Sequence, residues 1–154
     1  MITISLCMIV RDEESVLGRL LEQMKDVVDE IIIVDTGSVD KTEEIARQYT
    51  SSVFHYQWHD DFPAARNFAC QNSAMDYWMW LDADDVITPA NQEKLRQMKH
   101  SLDPDTDIVM MKYLTGFDAQ GNATFSYERE RIIKNAPRFR WHGRVHEAII
   151  PQGN

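Results

Sequence analysis

Cysteine is nearly absent: the 154 residues hold two, Cys7 and Cys70, with neither metal-ligand spacing nor the framework of a small disulfide-stapled fold. A reduced, cytoplasmic setting is the expectation, and Cys70 reads as a small buried hydrophobe rather than a reactive thiol. Basic charge is also short. Sixteen Lys and Arg stand against 25 Asp and Glu, a formal net charge of -9, which speaks against nucleic acid as a partner because such binding rests on neutralising many phosphates. No apolar run approaches the ~20 residues of a membrane-spanning helix. The apolar opening, residues 1–10, lacks a basic leader and a small-residue cleavage site, and reads as a buried strand. Internal repeats and low-complexity linkers are missing too.

What is present is enough for one domain with a true core. Hydrophobic residues make up 44% of the chain, charged ones 27%, and four Trp, five Tyr and six Phe supply large core pieces. Apolar and amphipathic runs alternate to about residue 114, the pattern of β-α units around a mostly parallel sheet. Strands are expected at residues 3–10, 31–34, 53–56 and 76–81. Val16, Leu17, Leu20, Leu21 and Met24 recur at helical spacing. Asp40 and Glu43 have the spacing of a capping box for a helix that turns Ile45 and Ala46 inward. Pro63 at the first helical position opens a helix over residues 64–74, and Thr88 before Pro89 opens another to about residue 99. Residues 108–114 and 124–133 read as an antiparallel hairpin turning at 118–122.

Ligands of an open parallel sheet gather outside the carboxyl ends of its strands, and here each apolar run ends in polar residues. Arg11, Asp12, Glu13 and Glu14 follow the first; Asp35, Thr36, Gly37 and Ser38 the second; Asp82, Asp84 and Asp85 the fourth. Any one Asp at such a place is equally well a helix cap or turn former. Three groups together point to a site. Asp82 and Asp84, one residue apart after a hydrophobic strand, offer oxygen ligands that suit Mg²⁺ or Mn²⁺ beside substrate phosphates; the plain alternative is a solvated acidic turn. Gly37 and Ser38 suit a strand-to-helix turn whose amides favour an anion, with Asp40 read as a helix cap and Lys41 as solvated. Arg129, Arg131, Arg138, Arg140 and Arg144 form a basic cluster that could meet a diphosphate or simply face outward from a hairpin. His142 and His146 could form a separate transition-metal site, though the spacing is unspecific.

Taken in order, residues 5–14 (SLCMIVRDEE), 29–38 (DEIIIVDTGS), 40–42 (DKT), 65–67 (ARN) and 80–85 (WLDADD) resemble the family 2 glycosyltransferases, over about residues 2–150. The closing WHGRVHE of residues 141–147 looks like the bacterial subgroup often followed by tetratricopeptide repeats. The resemblance implies a GT-A fold: an α/β, Rossmann-like, mostly parallel sheet flanked by helices, with a C-terminal antiparallel hairpin. It implies a single GT-A domain over residues 1–154, part of a longer protein. The function implied is inverting transfer of a sugar from a nucleotide-diphosphate donor, a UDP-sugar by expectation, to an acceptor hydroxyl with Mn²⁺ or Mg²⁺. Val10, Arg11 and Glu13 then border the nucleotide and Asp35 reads the base edge. Asp82 holds the ribose or a water on the metal, while Asp84 ligates the metal. Arg66 contacts phosphate or base, its alternative being a surface helix residue. His146 is a third metal or phosphate contact and Glu147 the general base, in a His-Glu pair where many relatives carry an acidic pair.

Two rivals share parts of this pattern. A haloacid-dehalogenase-like phosphatase also uses a strand-borne Asp-x-Asp, but after the first strand, whereas here three strand-helix units come first. A nucleotidyltransferase would show a Gly-rich basic signature near the first strand in place of residues 10–13. A non-catalytic nucleotide-sugar-binding module is the reading from a different class. No Gln-x-x-Arg-Trp segment is present, which speaks against a processive polysaccharide synthase.

Overall fold

A computed structural model describes residues 1–57, 62–117, 119–120, 123–136, 139–142 and 148–151. Gly143, Arg138, Arg144, His146 and Glu147 lie outside the described residues, as do the side chains of Arg129, Arg140, Trp141 and His142.

The chain alternates as its hydrophobic pattern requires: β1 (Ile4–Val10), α1 (Leu17–Met24), β2 (Glu30–Asp35), α2 (Thr42–Ala46), β3 (Val53–His55), α3 (Phe62–Gln71), β4 (Tyr77–Trp80) and α4 (Pro89–Ser101). The hairpin β5 (Ile108–Phe117) and β6 (Ala123–Lys134) follows, then the antiparallel pair β7 (Phe139–His142) and β8 (Ala148–Pro151). Six strands form one sheet in the order β3-β2-β1-β4-β6-β5. β1 pairs parallel with both β2 and β4, and β2 with β3. β6 alone runs against its neighbours β4 and β5. The hairpin is therefore a continuation of the main sheet.

Alternation along the strands assigns the two faces. Leu6, Met8, Val10, Ile33, Tyr77 and Met79 pack with Leu17, Leu20, Leu21 and Met24 of α1, Ala46 of α2 and Leu95 of α4. Cys7, Ile32, Val34, Trp78, Trp80 and Ile133 pack under Ala69 and Cys70 of α3. Each such buried side chain contributes about 1.5–3 kcal/mol by leaving water. The two thiols meet across β1 and α3; their hydrogen bond, then burial, pushes the Cys7 thiol well up, as expected of inert core cysteines.

The helix starts separate what is local from what is not. Thr88 caps α4 by accepting the Asn91 N–H at 3.3 Å, with Pro89 in the first turn, as its sequence predicts. The capping box at Asp40 does not form. α2 begins at Thr42, its cap position falls on Lys41 without a side-chain bond, and Glu43 turns outward to Arg47 and His55. Asp40 is taken instead by the Thr42 amide at 2.9 Å and the Glu14 amide at 3.2 Å, because a neighbouring loop offers it a donor. α3 begins one residue before Pro63 and stops at Gln71, short of residue 74, where the Asn72 side chain donates to the Phe68 carbonyl and satisfies the helix end.

Candidate active site at the strand ends

β1 is the point at which the sheet changes direction of growth: β2 and β3 lie to one side and β4 to the other. The crevice outside the carboxyl ends at such a reversal is where α/β sheets bind ligands. Val10 closes β1, buried and in register with Asp35 at the end of β2. Cys7 is in register with Trp80 at the end of β4, so the turn at residues 82–85 rises beside the end of β1.

Two of the three loops are stitched together. The amides of Asp12, Glu13 and Glu14 donate to the side chains of Ser38, Thr42 and Asp40 at 2.9, 2.7 and 3.2 Å. In return the amides of Val39 and Lys41 donate to Asp12 and Glu14 at 2.8 and 3.2 Å. Asp12 adopts a left-handed φ of 52°, which suits a short polar side chain that bonds its surroundings. Gly37 has φ 120°, a conformation open to glycine, and its Cβ position faces empty space. Arg11 and Asp12 are exposed beside this seam.

Asp35 is 2% exposed. Its Oδ1 accepts the Gly37 and Ser38 amides at 2.8 and 2.7 Å, which shapes the turn, while its Oδ2 is buried and has no hydrogen-bond partner. Leaving a buried carboxylate oxygen unpaired costs several times a typical hydrogen bond. An unsatisfied acceptor of this kind marks a place where a ligand donor fits.

The third loop is a closed turn. Asp85 donates its amide to the Asp82 carbonyl at 3.0 Å, and Asp85 Oδ2 accepts the Asp82 amide at 2.8 Å. Ligand oxygens of Asp82, Asp84 and Asp85 lie within 4.8 Å of one another, with Asp82 and Asp84 exposed. This oxygen-only set fits a hard divalent cation. Arg19 of α1 holds the Asp84 carbonyl at 3.2 Å. Glu13 ties this loop to the others: burial first, and then the negative charges of Asp84, Asp82, Asp40 and Asp12, push its carboxyl up. Electrostatic contact of that kind places the acidic loops around one region.

Arg66 is not a surface helix residue. Its side chain is 12% exposed, 3.5 Å from Asp82 Oδ1 and 4.9 Å from the centre of the Trp80 ring. Arg131 is neither an outward hairpin residue nor part of a solvent-facing basic cluster. It is buried, its guanidinium lies 4.1 Å from the Trp80 ring centre, and its Nη1 is 3.2 Å from Asp85 Oδ2. Burial pushes the Asp85 carboxyl up, opposed by its bond to the Asp82 amide and by the Arg131 charge. Trp80, Asp85, Arg131 and Arg19 were not read as site-building residues from the sequence. Asp85 carried a signal, a carboxylate three residues after Asp82; Arg131 carried none, because its partner depends on how β6 pairs.

A cavity of about 540 Å³ lies at the opposite end of the sheet, among Ile2, Asp76, Tyr77, Leu102 and Lys134. Its polar groups are engaged: Asp76 accepts the Thr3 amide, and Lys134 donates to the Pro104 carbonyl. The carboxylate loops are the better candidate because they hold an unsatisfied acceptor. Among the described residues, no helix is long and apolar enough to cross a membrane.

Comparison with known proteins agrees with this architecture. A TPR repeat-containing protein of Synechococcus elongatus is 36% identical over 149 residues, 97% of this chain and 36% of that protein. The lipopolysaccharide core biosynthesis glycosyltransferase LpsC of Rhizobium meliloti is 26% identical over 93% of this chain and 55% of its own length. The chain thus spans between about a third and about half the length of these relatives. Among solved structures, S. aureus TarS 1-349 superposes with a TM-score of 0.54 at 21% identity, covering 64% of this chain and 31% of that one. That likeness shows the fold, an α/β sheet of the GT-A type. The sequence profile described as Glycosyl transferase family 2 matches residues 5–150, so the chain belongs to glycosyltransferase family 2.

Proposed function

We propose that the three strand ends bind a nucleotide-diphosphate sugar, with a UDP-sugar as the expected donor, and that the sugar passes with inversion to an acceptor hydroxyl. The observation that carries this reading is Asp35: a buried carboxylate whose Oδ2 has no partner, at the carboxyl edge beside Val10. A base N–H supplies the missing donor. TarS of S. aureus has also been captured in complex with UDP, in a structure of TM-score 0.52 and 21% identity.

In this reading Val10, Arg11 and Glu13 border the nucleotide, and the stitched loops keep that wall from spreading. Arg66, held against Trp80 and beside Asp82, directs its guanidinium to a phosphate oxygen, for which bidentate geometry suits it. Asp84 and Asp82 would hold Mg²⁺ or Mn²⁺, whose charge would offset that of the departing diphosphate. Glu147 is the proposed base, accepting the acceptor hydroxyl's proton as its oxygen attacks the anomeric carbon opposite the diphosphate. His146 is the proposed further metal or phosphate contact. General-base help of this kind is worth about 10²–10⁴-fold, with orientation supplying much of the rest.

A thermal-shift panel of nucleotide sugars with and without Mn²⁺ tests the proposal, because a ligand that binds only the folded chain raises its apparent stability. UDP-sugars are expected to raise Tm, and more so with Mn²⁺. A panel in which no nucleotide diphosphate shifts Tm under any metal condition removes the basis for the proposal.

A further inference from the structure

Asp85 differs from Asp82 and Asp84 in where its charge goes. Its side chain is 8% exposed, and one oxygen, Oδ2, takes both the Asp82 amide at 2.8 Å and the Arg131 guanidinium at 3.2 Å. Distance alone would admit it as a third cation ligand, since its oxygen lies within 4.8 Å of those of its neighbours. The bonds argue otherwise. Turning that carboxylate toward an ion would strand a backbone N–H and a buried guanidinium, each costly to leave unpaired. Arg131 has little freedom to follow, because it also donates to the Trp80 carbonyl at 3.4 Å and lies over the Trp80 ring. The indole is itself pinned by its Nε1 donating to the Glu130 carbonyl at 2.6 Å. The same ring has Arg66 at 4.9 Å, and Arg66 reaches Asp82. One indole thus carries two arginines, one serving each end of the turn.

We propose that Asp85 is a positioning residue and not a metal ligand: held by Arg131, its carboxylate closes the turn that presents Asp82 and Asp84, leaving two carboxylates for a divalent cation. The proposal rests on the donor-site reading above and adds which carboxylates bind. Arg131 thereby acts on the site from β6, without touching a ligand.

The test uses the full chain with Mn²⁺ alone as the probe, read by electron paramagnetic resonance, together with hydrogen exchange at the Asp82 amide. In Asp85→Asn the side-chain carbonyl still accepts that amide, so protection persists and Mn²⁺ affinity stays within about threefold of wild type. Asp85→Ala loses the protection and weakens Mn²⁺ binding about tenfold or more, the scale of one lost hydrogen bond to a charged group. Asp84→Ala loses Mn²⁺ while the Asp82 amide stays protected. Loss of Mn²⁺ in Asp85→Asn as complete as in Asp84→Ala, with the amide still protected, would make Asp85 a ligand and overturn the proposal. An Asp82 amide unchanged in Asp85→Ala overturns it as well. If Asp85→Ala does not fold, Asp85→Asn decides alone, since a ligand role requires loss and a positioning role retention. Wild-type protein that binds no Mn²⁺ defeats the metal reading of the site, while the Asp82 amide still decides the positioning role.

Discussion

Asp35 divides its two oxygens between structure and ligand. Oδ1 holds the Gly37 and Ser38 amides, and Oδ2 is buried and unpaired. Asp35→Asn retains one acceptor for the turn and places an amide donor where a base N–H is proposed to sit. Nucleotide affinity should fall about 10–100-fold, the value of one charged hydrogen bond, with the far-ultraviolet circular dichroism unchanged. An affinity for UDP equal to wild type would remove Asp35 from the site. Arg131 gives the contrasting case. Arg131→Met leaves the buried Asp85 carboxylate without its cation and should cost about 3–5 kcal/mol in a urea unfolding experiment; a cost below ~1 kcal/mol, typical of exposed pairs, would show that the pair does not stabilise the fold. Asp35, Asp82 and Asp84 were legible in the sequence because each follows an apolar run directly, and strand ends are local features. The Asp85–Arg131 pair was not, since the two stand 46 residues apart and meet only through strand pairing.

The elements behave according to how local their determinants are. α1 shows its buried face in the spacing of Leu17, Leu20, Leu21 and Met24 alone. Leu20→Ala should therefore destabilise by about 2–5 kcal/mol, the range for emptying a core site; thermal or chemical unfolding measures it. The start of α2 was misread at Asp40 because the residues that compete for its carboxylate come from another loop. Bonds from Thr42, side chain first, and then the Glu14 amide hold the Asp40 carboxyl below its ordinary value. A lowered carboxyl adds stability that is present above its unfolded pKa and lost as pH falls through the folded one. The amide shifts of Thr42 and Glu14 should then titrate with a midpoint below ~3.9, the unperturbed Asp value. A midpoint at or above that value would show that the stitched loops do not depend on the Asp40 charge.

At the scale of the molecule, the alternation of apolar and amphipathic runs was enough to expect a mostly parallel sheet. It did not reveal that the hairpin joins that sheet through β4 and β6, because strand alternation says which residues share a face and nothing of which strand lies next door. That junction matters, since it delivers Arg131 to the Asp82 turn. The two-sided core also encloses both thiols. Cys7 and Cys70 should resist iodoacetamide in the native state and react on unfolding, which mass spectrometry reads directly; rapid native labelling would contradict the burial of the β1–α3 interface. The central claim is that the ends of β1, β2 and β4 form one donor site. Calorimetric titration of UDP with and without Mn²⁺, in wild type, Asp35→Asn and Asp84→Ala, tests it most directly. UDP and Mn²⁺ should each raise the other's affinity, as linkage requires of ligands that share a site; Asp84→Ala should abolish that coupling, and Asp35→Asn should weaken UDP alone. UDP binding that ignores the metal and both substitutions would contradict the account.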